Sequence, residues 1–122
     1  MALILIVDDS RTEVFQMRRA LEEHGFSTEA AGDGAEAIRK ARAIHPDLIL
    51  MDIVMPGIDG FRATRTLTQD PATRSIPVIM VSSKSGETDR IWGMRQGAVD
   101  FLVKPVRPAQ LVEKAQAALL AG

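Results

Sequence analysis

The sequence predicts an alternating α/β domain: a doubly wound parallel sheet of five strands with helices on both faces. Three observations predict it. Short, nearly unbroken apolar runs recur along the chain, and longer amphipathic stretches with capping signals fall between them. The whole occupies 122 residues, close to the commonest size of one domain and enough to build a core without staples. Strand–helix alternation implies right-handed crossovers, which place helices on both sides of a parallel sheet.

The first run, Leu3 to Val7, is continuously apolar, as a strand covered on both faces should be. Ser10 with Glu13 then forms a capping box, Val14, Met17 and Leu21 repeat at helical spacing, and Gly25 offers a left-handed stop. Ser27 to Ala31 is more polar and suits an edge strand. Asp33 and Glu36 repeat the cap signature before Ala37, Ile38, Ala41 and Ile44, and Pro46 ends that second helix near His45. Leu48 to Met51 is the third strand. Asp59 can cap a third helix through Phe61 and Leu67, and turn-prone Asp70 to Ser75 leads to a fourth strand at Val78 to Val81. A fourth helix is expected from Glu87 to Gln96 with Ile91 and Met94 inward and Gly97 as its stop. Phe101 to Val103 is the fifth strand, and Pro108 opens a fifth helix carrying Leu111, Ala115 and Leu119.

Composition narrows the function. Lys plus Arg number 15 and Asp plus Glu 16, a net charge of −1, far from the basic excess that neutralising a phosphate backbone requires; no nucleic-acid partner is expected. Cysteine is absent, which removes thiol nucleophiles, thiolate zinc sites and disulfide frameworks together. The apolar opening from Ala2 to Val7 is too short for a membrane span and is broken by Asp8 and Asp9. A cytoplasmic monomer without membrane insertion is the expectation. His24, His45, Trp92 and the methionines read as surface, packing or interface residues, with no companions that would make a cofactor site.

In doubly wound sheets, ligands bind beyond the carboxyl ends of the strands, where the winding reverses. The residues just after the expected strands are Asp8 and Asp9, Asp52, Ser82 and Ser83, and Lys104. Each alone has an ordinary explanation as a turn, cap or solvated strand end; their conjunction at one crevice does not. Clustered carboxylates repel by roughly 4 kcal/mol per close pair at an effective dielectric near 20, so a counter-charge is required. With no His or Cys nearby, the donor set suits Mg²⁺. Lys104 supplies a second positive charge. Such a set can make one carboxylate a nucleophile toward phosphorus, and Asp52, alone after a central strand, is the best placed.

The stretches LILIVDDS, DLILMDIVMPGIDG, IPVIMVSS and GAVDFLVKP resemble, in order and approximate spacing, the motifs of receiver domains of bacterial two-component response regulators. The resemblance covers essentially the whole chain. It implies a flavodoxin-like strand order 2-1-3-4-5 and phosphorylation of Asp52 by a sensor histidine kinase. It also implies Mg²⁺ held by Asp8, Asp9, Asp52 and the main-chain carbonyl of Val54, with Ser82 and Lys104 on the phosphoryl oxygens. Lys104-Pro105 resembles a family element whose peptide bond is typically cis, so Pro105 is expected in cis. Phe101 falls where the family has its switch aromatic; without a hydroxyl it should favour a buried rotamer, and it reads equally as plain strand core. Val54 and Lys84 flank the site, two residues beyond Asp52 and Ser82. An apolar Val54 offers water no hydrogen bond, so phosphate loss should be slower than in a Val54→Asn variant.

Read as a single receiver domain over residues 1–122 without an output domain, the chain must signal by protein contact. The expected surface is the fourth helix, fifth strand and fifth helix. The segment from Glu87 to Gly97 is similar to stand-alone receivers of type IV pilus chemosensory (twitching-motility) systems, which implies a chemotaxis-type kinase as donor. Whether the phosphorylated form drives output or acts as a phosphate sink stays open, as does a constitutive, phosphate-independent interaction module. A haloacid-dehalogenase-type phosphatase would need a second Asp where Val54 stands. A flavodoxin-like electron carrier would need a phosphate-cradling loop where Asp8 and Asp9 stand.

Overall fold

The computed structural model describes residues 1–84 and 86–121. Five strands and five helices alternate: β1 (Leu3–Val7), α1 (Arg11–Glu22), β2 (Ser27–Ala31), α2 (Gly34–Ile44), β3 (Leu48–Met51), α3 (Gly60–Gln69), β4 (Val78–Ser82), α4 (Glu87–Arg95), β5 (Asp100–Val103) and α5 (Pro108–Ala121). All neighbouring strands are parallel, in the order β2-β1-β3-β4-β5. The expected fold and order hold, with strand limits moved by one residue at Ser82 and Asp100. No helix among the described residues is long and apolar enough to cross a membrane.

The strand sequences explain their places. β1, β3 and β4 are buried almost end to end, whereas β2 alternates exposed and buried positions at one edge and β5 exposes Val103 at the other. Side chains alternate faces along each strand, so two cores form. Leu5, Val7, Ile49, Met51, Val78 and Met80 meet Ala37 and Ala41 of α2 and Ala63 and Leu67 of α3. Ile4, Ile6, Leu48, Leu50, Ile79 and Val81 meet Met17 and Leu21 of α1 and Leu111 and Ala115 of α5.

Side-chain caps start the first three helices as the sequence indicated: Ser10 accepts from the Glu13 N–H, Asp33 from Glu36 and Asp59 from Arg62. His45 ends α2 in a left-handed conformation, φ 47°. The expectation for α4 needs correcting. Ile91 and Met94 point to solvent together with Trp92, and the buried residue of the helix is Gly93. A Cβ at Gly93 would lie 3.1 Å from Met80 Sδ and 3.4 Å from Phe101, so α4 is seated backbone-first on those two side chains. Hydrophobic spacing cannot register a glycine contact.

Candidate functional site

Backbone hydrogen bonds carry β1, β3 and β5 one residue past their ends. Asp8 N–H donates to Ala31 O (3.0 Å), Asp52 N–H to Val7 O (2.9 Å) and Lys104 N–H to Ser82 O (2.9 Å). Asp8, Asp52, Ser82 and Lys104 are thereby fixed along the carboxyl edge of the sheet. One carboxylate oxygen from each of Asp8, Asp9 and Asp52 falls within 4.8 Å of the other two. Asp8 and Asp52 are buried and Asp9 is exposed, so the trio opens to solvent on one side.

Asp52 is pinned from behind. Its Oδ1 accepts the Ile53 N–H at 2.9 Å, and the Ile53 carbonyl accepts the Gly60 N–H at 2.8 Å. α3 therefore begins directly against the backbone of the site: a Cβ on Gly60 would lie 1.9 Å from the Asp52 carbonyl oxygen. Gly57, with φ 77°, turns the intervening loop. Val54 on that loop is 59% exposed, an apolar side chain beside the opening.

Lys104 supplies the cation. Its Nζ donates to Asp8 Oδ2 at 2.7 Å and to Glu13 Oε2 at 2.6 Å, and lies 3.5 Å from Asp52 Oδ1. Burial opposes its charge, but the hydrogen bonds to Asp8 and Glu13 and the negative charge of Asp52 prevail and hold the ammonium above its usual range. The Asp52 carboxyl moves up from 3.8 to about 6, first through burial and then through the charge of Asp8; Lys104 and the Ile53 N–H only partly offset these. A carboxylate so placed is short of positive charge, and a hard oxygen-loving cation against the trio would supply it.

Ser82 is wholly buried at the end of β4, its Oγ accepting the Lys84 N–H at 3.2 Å, while Ser83 and Lys84 are exposed. Phe101 is buried in the core shared with α3, and the Lys104-Pro105 bond is cis. Glu13 was absent from the expected site because its spacing from Ser10 reads as a capping box. Only half of that box forms. Asp8 Oδ1 takes the Ser10 N–H at 2.9 Å, and Glu13 is left free to reach Lys104.

Residues 4–116 match the family model for the response regulator receiver domain. The chain is a receiver domain. It is 51% identical over 119 residues to Protein PilH of Pseudomonas aeruginosa, covering 98% of each chain. It is 42% identical over 110 residues to the response regulator PleD of Caulobacter vibrioides, of which it spans 24%. The chemotaxis protein CheY4 of Vibrio cholerae superposes with a TM-score of 0.91 at 30% identity, covering 97% of this chain and 98% of that one. As a receiver domain it is a phosphoacceptor in two-component signalling, not a catalytic enzyme. Family membership implies a cognate histidine kinase and a downstream target, and the acidic trio fits the divalent-cation site that goes with it.

Proposed function

We propose that Asp52 accepts a phosphoryl group from a chemotaxis-type sensor histidine kinase, and that the resulting charge rearranges the surface of α4, β5 and α5 to control a protein partner. The observation that carries this reading is a buried carboxylate flanked by Asp8, Asp9 and Lys104 at the carboxyl edge of a doubly wound sheet. An Asp52 oxygen attacks phosphorus, the bond from phosphorus to the donor imidazole nitrogen breaks, and an acyl phosphate forms. Asp8, Asp9, Asp52 and the Val54 carbonyl would hold Mg²⁺, which supplies charge neutralisation for the phosphoryl group. Ser82 and Lys104 bind its oxygens.

The new group brings about −1.5 to −2 charges and three strong acceptors, drawing Ser82 and Lys104 inward and moving the loops that carry them. Taking such a switch from 1:99 to 99:1 requires a bias of about 5.5 kcal/mol, within reach of several charge-assisted hydrogen bonds. Phe101, buried beside Gly93 of α4, would follow that movement. The similarity to PilH supports a place in type IV pilus or chemotaxis-like motility signalling, as an effector or as a phosphate sink, with residues 1–122 acting as a cytoplasmic receiver domain.

Incubation with Mg²⁺ and acetyl phosphate, followed by intact mass measurement, tests the reading. One adduct is expected on the wild type and none on Asp52→Asn. An unlabelled wild type would instead support a phosphate-independent module, and continuous phosphate release over many turnovers a hydrolase. Val54→Asn should lose its adduct several-fold faster, because an amide at the opening can orient water where a valine cannot; equal lifetimes would remove that role.

A further inference from the structure

Glu13 is the charged neighbour of the pocket that the proposed chemistry leaves unused. Three residues after the N-cap, a Glu ordinarily turns back to the N-cap N–H, but here Asp8 occupies that donor. Glu13 crosses instead to a residue 91 positions away, and its contact with Lys104 at 2.6 Å is the shortest of the three carboxylate contacts this ammonium makes. Glu13 also stands outside the trio that would share a cation, so a cation held by that trio leaves the Glu13 carboxylate available to Lys104. The side chain has room to let go: it is 40% exposed and, with Lys104, lines a groove of about 630 Å³ between α1 and α5.

We propose that Glu13 is a positioning residue that holds the Lys104 ammonium on the α1 side of the pocket and so sets how much of its charge reaches Asp52. Without the Glu13 charge, the ammonium shifts toward Asp8 and Asp52. There it opposes entry of a divalent cation and stands ready for a phosphoryl group. The second consequence rests on the phosphoacceptor reading of Asp52; the first does not.

The test is calorimetric titration with Mg²⁺ alone, in wild type, Glu13→Gln, Lys104→Met and the double variant. With Lys104 present, Glu13→Gln is expected to weaken Mg²⁺ binding by about threefold to tenfold; in the Lys104→Met background the same change should cost less than about twofold. Equal effects in the two backgrounds would mean that Glu13 acts only as diffuse charge, and would overturn the proposal. Glu13→Asp gives a check that does not depend on Lys104→Met folding, because it keeps the charge on a side chain too short to reach. It is expected to follow Glu13→Gln, and wild-type affinity in Glu13→Asp would equally overturn the idea. At saturating Mg²⁺, Glu13→Gln should also take phosphate from acetyl phosphate about threefold faster than wild type, and equal rates would count against Glu13. A wild type that takes none defeats the phosphoacceptor reading alone, leaving the Mg²⁺ titrations to decide for or against Glu13.

Discussion

α3 and α4 are successive helices of similar length, yet they are attached in opposite ways. α3 is capped by the Asp59 side chain and buries Gly60, Ala63, Thr64 and Leu67. Among the described residues, no side chain caps α4 at Gly86, and the helix buries Gly93 while exposing Ile91, Trp92 and Met94. Apolar burial stabilises by roughly 25 cal/mol per Å², so α3 is held by its side chains while α4 rests on two neighbours through its backbone. α3 begins against Asp52, and α4 follows the loop after Ser82. In the proposed mechanism, the phosphoacceptor is thus backed by a rigid element and the responding surface is built on a loosely held one, as local stability differences lead one to expect of a moving part.

The strongest way to break this contrast is Gly60→Ala. The new methyl has no space against the Asp52 carbonyl, so a loss of about 3 kcal/mol or more is expected in denaturant unfolding, accompanied by loss of acetyl-phosphate labelling. Next comes Asp52→Asn in metal-free buffer. Because the folded state raises this carboxyl from 3.8 to about 6, the folded protein binds the proton more tightly than the unfolded chain. The stability from that proton is complete below the unfolded value and is lost as pH rises through the folded one. Asn escapes that loss, so the variant should be the more stable at pH 7, on the order of 2 kcal/mol after allowing for solvent screening. Melting curves with a chelator should show the advantage shrinking as pH falls through the folded value and vanishing only about one unit below the unfolded value of 3.8.

Thr64→Val sharpens the comparison from the other side. The Thr64 hydroxyl is fully buried on α3 with no hydrogen-bond partner among the described residues, and its replacement by a methyl should raise stability by about 1 kcal/mol in the same unfolding assay. The smallest effect is expected on α4, where Ile91→Ala and Met94→Ala together should shift stability by no more than about 0.5 kcal/mol. A larger loss would show that α4 is seated by its side chains after all.

Where the residues carried their own physics, the sequence was legible. Apolar runs located four of the five strands, the more polar β2 fell at an edge as its composition suggested, and Asp33 and Asp59 capped the helices they precede. Asp8, Asp9, Asp52 and Lys104 could be gathered because each follows a strand, and strand ends converge in this topology. What escaped depended on competition between partners. Glu13 matched a local capping pattern, and only the fold shows that Asp8 reaches the Ser10 N–H first. Ile91 and Met94 carried helical spacing, but the face that meets Met80 and Phe101 is the one at Gly93, where a Cβ would be crowded by both side chains.

Asp8 divides its two oxygens between the start of α1, through the Ser10 N–H, and the Lys104 ammonium. Any substitution there unfastens the framework and alters the chemistry in one stroke, so a silent Asp8 variant would not reveal which of the two had failed. Asp9 is exposed beside it, and for anyone wishing to disarm the protein while sparing its architecture, it is the better place to cut.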